Sequence, residues 1–89
     1  HWEKVNGRWW AFGAEGYLST GWIYDTLHQG WFYMDENQGT LTGWQFINGK
    51  WYYLNPNQDG SAGIMYSKRR TPDGWYVKED GSWDEEAGR

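Results

Sequence analysis

Thr42-Gly43-Trp44-Gln45-Phe46-Ile47-Asn48-Gly49-Lys50-Trp51-Tyr52-Tyr53-Leu54 decides how the chain reads, because its parts recur on either side of it. Asn-Gly readily adopts the positive backbone angles that a two-residue type I′ turn demands. The aromatic-rich runs around Asn48-Gly49 therefore pair as a β-hairpin, Trp44 to Leu54. Side chains alternate across a strand, which puts Trp51 and Tyr53 on one face and Tyr52 and Leu54 on the other.

Working outward, Trp9-Trp10-Ala11-Phe12, Trp31-Phe32-Tyr33-Met34, Trp51-Tyr52-Tyr53-Leu54 and, more weakly, Gly74-Trp75-Tyr76-Val77 align at spacings of 22, 20 and 23 residues. Trp2, Gly21-Trp22 and Gly43-Trp44 precede the first three blocks across a turn: Asn6-Gly7, a longer loop through His28-Gln29-Gly30, and Asn48-Gly49. Each unit is one hairpin, and the 89 residues divide into four, about 2–20, 21–42, 43–63 and 64–83. A polar, Gly-containing turn follows each block (13–16, 35–39, 55–60, 78–81). An apolar residue comes next, Leu18, Met65 or Trp83, with Leu41 a loose fit because its link is one residue shorter.

No long helical period is present, and short runs bounded by Gly and Asn predict all-β structure. A lone hairpin is marginal in water, so the hairpins are expected to stack end to end as a β-solenoid. Phe12, Met34, Leu54 and Val77 share one slot predicted to face the common core, with Trp10, Phe32, Tyr52 and Trp75. Trp9, Trp31 and Trp51 point the other way. The fourth unit has Lys68-Arg69-Arg70 where Gly-Trp is expected and Gly74 where the outward Trp is expected. It reads as a cap, with Trp83 covering the open end and a charged tail, Asp84 to Arg89.

A formal charge of −4 disfavours nucleic acid and anionic membrane surfaces as partners. Hydrophobic content is 38%, yet aromatics make up 21% with nine Trp, so large rings carry most of the apolar surface. Without Cys there is neither a disulfide framework nor a thiolate metal site. No apolar run approaches the roughly 20 residues that span a bilayer, so no membrane insertion is expected. No signal peptide is recognisable at His1-Trp2-Glu3-Lys4, which reads as a piece of a longer protein.

A row of outward Trp needs a reason. One reading has them stack between units as an aromatic core. The other makes them walls of small pockets, suited to a cation through the ring face or to the apolar face of a sugar.

Thr20-Gly21-Trp22, Thr42 to Leu54, and Thr71-Pro72-Asp73-Gly74-Trp75-Tyr76-Val77 resemble the choline-binding, or cell-wall-binding, repeats of surface proteins and autolysins of streptococci, clostridia and their phages. The likeness covers nearly the whole chain. It implies a left-handed superhelix of hairpins, with choline held between consecutive units by the first-strand Trp, the second-strand Trp and the next unit's second-strand ring. Carried over, Trp2, Trp9 and Trp31 form one site and Trp22, Trp31 and Trp51 the next. A third begins with Trp44 and Trp51 but meets Gly74, so it is absent or rebuilt from Trp75 or Tyr76, and Trp44 is expected to matter little.

The resemblance implies a non-catalytic, extracellular module that attaches a larger protein to the bacterial cell wall through choline or phosphocholine of teichoic acids. Glucan or another cell-surface carbohydrate is the alternative, because glucosyltransferases and clostridial toxins share the hairpin; toxin-type repeats usually carry Lys where Trp9, Trp31 and Trp51 stand. His1 and His28 lack metal-ligand spacing and read as loop histidines. The carboxylates fall in turns or the tail, where solvation explains them better than acid/base work, and neither a nucleophile elbow nor a phosphate-cradling loop is present. No metal or cofactor is expected. Lys68-Arg69-Arg70 reads as a polar cap surface.

Overall fold

The computed structural model describes residues 2–5, 7–13, 15–57 and 62–88. These are all-β, without a helix. They form two compact units, His1–Leu41 and Thr42–Arg89. His1, Asn6 and Gly60, which the sequence placed in a loop and in two turns, lie outside the described residues.

In the first unit, β1 (Trp2–Val5) pairs antiparallel with β2 (Arg8–Ala11), with Trp2 opposite Ala11 and Lys4 opposite Trp9. The second hairpin pairs β3 (Gly21–Asp25) with β4 (Gly30–Asp35), and β5 (Gly39–Thr40) adds to the far edge of β4. The longer 26–29 loop is closed by the Asp25 carboxylate, which accepts from the His28 backbone N–H at 3.3 Å and from the His28 ring. That ring bond holds the Asp25 carboxyl below its usual range. β5 lies against β2, where Thr40 Oγ1 donates to the Trp9 carbonyl at 2.9 Å. The Trp2 ring packs on Phe32, centroids 5.2 Å apart.

In the second unit, β6 (Gly43–Ile47) pairs with β7 (Lys50–Leu54) through Asn48 at φ 51° and Gly49 at φ 84°. Both central residues are left-handed, as a type I′ turn requires. The fourth hairpin pairs only two residues on each side: β8 (Arg69–Arg70) with β9 (Tyr76–Val77). Its return segment lies along β7, as β5 lies along β2. Ser82 bridges Tyr52, and the Trp83 N–H donates to the Trp51 carbonyl at 2.7 Å.

The predicted core slot holds for Met34, Leu54 and Val77, which are 1%, 0% and 0% exposed. Burying such side chains stabilises by about 1.5–3 kcal/mol each. Phe12 occupies the same register but is only half-buried, because it edges an open cleft with Val5, Arg8, Trp10 and Asn37. Each slot residue is bridged by the segment after its turn: Phe12 by Leu18, Met34 by Thr40, Leu54 by Met65 and Val77 by Trp83. The sequence reading put Leu41 in the second of these places. Thr40 stands opposite Met34 instead, at the same separation as Leu18 from Phe12 and Trp83 from Val77, because Gly39 comes one place later after its slot residue than Gly16 and Gly81 do.

The opposite face is less open than simple alternation suggests. Trp9, Trp31 and Trp51 are 43–45% exposed, but Ala11 and Tyr53, two residues along from Trp9 and Trp51, are buried. Lys68-Arg69-Arg70 is more than a polar cap: Arg69 and Arg70 form β8 itself. The Arg69 guanidinium lies 4.2 Å from the Tyr66 ring centroid, and Arg70 donates to the carbonyls of Gly74 and Gly88.

Candidate ligand-binding cleft

Antiparallel register sets residues directly opposite on one face, close enough for rings to touch. On the Trp face, Trp22 meets Tyr33 at 5.2 Å, Tyr24 meets Trp31 at 5.3 Å, Trp44 meets Tyr53 at 5.1 Å and Phe46 meets Trp51 at 5.2 Å. Three of these pairs approach edge-to-face and the fourth is tilted. The first hairpin differs: Lys4 stands where Tyr24 and Phe46 stand later, and its ammonium lies 5.9 Å from the Trp9 ring centroid. That indole already faces a cation from its own hairpin.

The second unit holds a cleft of about 380 Å³ lined by Trp44, Trp51, Asp73, Trp75 and Trp83. Three features of the chain build it. The β6–β7 hairpin supplies Trp44 and Trp51 on one face. Thr71-Pro72-Asp73-Gly74 closes the short β8–β9 hairpin as a turn, with the Gly74 N–H donating to the Thr71 carbonyl at 2.9 Å and Gly74 at φ 94°. Proline second and glycine last suit such a turn. The return along β7 then brings in Trp83, whose ring meets Trp75 edge-to-face at 5.6 Å.

Asp73 is held in place from two sides. Trp44 Nε1 donates to Asp73 Oδ2 at 3.0 Å, and the Thr71 hydroxyl donates to Oδ1. Thr71 is itself buried, donates its N–H to the Trp75 carbonyl at 2.7 Å and accepts the Trp75 N–H at its hydroxyl at 3.2 Å. Burial raises the Tyr53 hydroxyl pKa, with further contributions from Tyr66 and the Asp73 charge. Among the described residues no acceptor meets the buried Trp83 Nε1–H, and the ring packs against Trp75.

Of the residues picked out in the sequence, Trp44, Trp51 and Trp75 meet at this cleft. Where the repeat pattern runs out at Gly74, the lining of this cleft includes Trp75, and it includes Trp44 as well. Trp75 does not point wholly into the core as expected, because the two-residue pairing of β8 and β9 leaves it beside the turn. Tyr76, the other candidate, lies beneath Arg70, whose guanidinium is 5.9 Å from its ring. Trp2, Trp9, Trp22 and Trp31 fall in the first unit: Trp2 rests on Phe32, Trp9 faces Lys4, and Trp22 and Trp31 pair with tyrosines.

Sequence reasoning missed Asp73 and Trp83 as cleft residues. The Pro-Asp-Gly turn signalled a carboxylate at a hairpin tip, but nothing local placed it over Trp44. Among the described residues no group of three or more His, Cys, Asp or Glu gathers as a metal site, and no helix is long and apolar enough to cross a membrane.

Comparison with known proteins bears on this geometry. Residues 42–57, which contain the stretch that decided the fold, match the model of the cell wall binding repeat. The choline binding domain of Spr1274 from Streptococcus pneumoniae is similar in structure, with a TM-score of 0.79 and 28% identity over 93% of this chain and 92% of that one. CbpJ from Streptococcus pneumoniae TIGR4 gives a TM-score of 0.77 and 30% identity, over 93% of this chain but only 26% of its own. Truncated alternansucrase from Leuconostoc mesenteroides gives 0.69 and 27% identity, over 94% of this chain and 7% of that one. A comparison of the sequence with curated proteins gives no significant match.

Proposed function

We propose that this chain, which belongs to the choline-binding, cell-wall-binding repeat family, is a non-catalytic module that binds choline groups of teichoic acid and so attaches a larger protein to the outside of a bacterial cell wall. The observation that carries this reading is the lining of the second-unit cleft: four indoles and one carboxylate. A quaternary ammonium has no N–H to donate, so recognition falls to ring faces and to negative charge. Aromatic cages do this, at about 0.5–2 kcal/mol for each ring engaged. A pyranose would call for several hydrogen-bonding groups around its hydroxyls, which this lining does not provide in number.

Affinity for one choline is then of the order of millimolar, about 4 kcal/mol. Weak sites suffice when the ligand is a polymer bearing many choline groups, because the second contact forms at the high effective concentration set by the first. In the first unit, the half-exposed Trp9 and Trp31 with Trp2 remain the walls assigned by the family pattern, with Lys4 competing at Trp9.

The test is retention on a tertiary-amine resin with elution by free choline, together with thermal melts in about 10 mM choline. Choline should raise the melting temperature, and Trp75→Ala should reduce the increase. Carbohydrate is the second reading, favoured by the likeness to alternansucrase. An unchanged melt in choline with retention on an immobilised α-glucan would establish it in place of the first. Hydrolysis of wall polymer by the isolated chain would overturn the non-catalytic assignment.

A further inference from the structure

The fourth hairpin is shorter than the third, and this changes what faces the ligand. In the third, four residues beyond Gly43 pair across to β7, out to Ile47 opposite Lys50. In the fourth, strand pairing stops at Arg70 opposite Tyr76, and the chain turns at once through 71–75. The shortening removes the second-strand Trp, since Gly74 stands at that alignment position, and brings the tip of the hairpin back over the cleft. The tip carries Asp73. Its carboxylate is fixed by the Trp44 indole N–H, which belongs to the cleft wall, and by the buried Thr71.

We propose that Asp73 is the specificity-determining residue of this cleft, making it select a cation over a neutral ligand of the same shape. The inference rests on the choline reading above and adds to it the source of charge discrimination. The indoles supply a shape that a trimethylammonium group and a tert-butyl group fill equally. The ring faces favour the first modestly, and the carboxylate adds a Coulomb attraction that acts on the first alone and is screened by salt. Its bond to Trp44 also orients that ring, so charge and wall are set by one contact.

The experiment follows the Trp44 indole N–H resonance of the full chain, assigned with Trp44→Phe, during titration with choline and with its neutral isostere 3,3-dimethylbutan-1-ol. In the parent, choline should bind about tenfold more tightly than the isostere, and about 0.5 M NaCl should weaken choline binding alone. Asp73→Asn keeps an acceptor for Trp44, so the cleft is retained; it should weaken choline about fivefold and leave the isostere unchanged. Asp73→Glu should restore much of the difference. Equal choline affinity for parent and Asp73→Asn, with no salt dependence in the parent, overturns the role of Asp73 while leaving choline binding intact. If choline does not move the resonance in the parent at all, the choline reading falls and this inference falls with it. The salt titration needs no variant, so a misfolded substitution cannot hide the answer.

Discussion

Gly81→Ala probes the return segment that brings Trp83 to the cleft. Gly81 has φ 88°, and a Cβ there would overlap Met65 Sδ and lie 2.6 Å from Cε and 2.8 Å from Cγ. Two costs follow. The left-handed conformation costs alanine about 1–2 kcal/mol. Relieving the overlap requires the Met65 side chain to swing out of its rotamer, at about 1–3 kcal/mol for disturbed packing. Gly49→Ala is the control, since Gly49 has φ 84° and nothing within 4 Å of its Cβ, so it bears the first cost only. At about 4–8 °C per kcal/mol for a domain of this size, Gly81→Ala should melt at least 4 °C below Gly49→Ala. Adding Met65→Ala to Gly81→Ala should cost less than Met65→Ala alone, because the overlap is then already gone. Equal melting of the two glycine variants, or strict additivity in the cycle, would refute the packing argument.

Lys68 has φ 53° at the entry to the fourth hairpin, where glycines hold φ 83° (Gly21) and 73° (Gly43) at the entries to the second and third. Lys68→Gly relieves about 1–2 kcal/mol of backbone strain and gives back about 0.4–1 kcal/mol to the more flexible unfolded chain, so the melting temperature should rise by a few degrees; a fall would contradict the assignment. The Asp80 carboxyl is held below its ordinary pKa chiefly by the Ser82 hydroxyl, at 2.6 Å, and then by the Ser82 N–H, at 2.9 Å. Because the folded value is the lower one, its stabilisation is full above the unfolded carboxyl pKa of about 3.9 and is lost as pH falls through the folded value. Melts of the parent and Asp80→Asn should therefore differ most at neutral pH and converge in acid.

The hairpins were legible because their determinants are local. Asn48-Gly49 specifies its own turn, and alternation from Trp51 to Leu54 then assigns both faces without knowledge of anything distant. The core slot followed from the repeat, and three of its four members are buried. Phe12 is less buried because the cleft beside it involves Asn37, which no repeat spacing links to it. Leu41 yielded its place to Thr40 because the bridge keeps its distance from the slot residue and not from the turn glycine, which in this unit comes one place later, and composition does not report register.

The cleft was only half legible, and the missing half is its charge. Trp44, Trp51 and Trp75 belong to the repeated pattern and could be named from it. Asp73 and Trp83 reach the site through contacts 29 and 32 residues apart in sequence, the Trp44–Asp73 bond and the Trp51–Trp83 backbone bond. The first exists because the fourth hairpin stops early; the second comes from the return segment, which lies along β7 as β5 lies along β2. A repeat that had kept its full length would have placed another indole at Gly74 and held the turn away from the cleft. Loss of the repeated Trp at the end of an array therefore need not mean loss of a site. Shortening a hairpin replaces a ring by the residue at its tip, and a Pro-Asp-Gly turn makes that residue a carboxylate, which gives an aromatic cleft a preference for cations that rings alone supply only weakly.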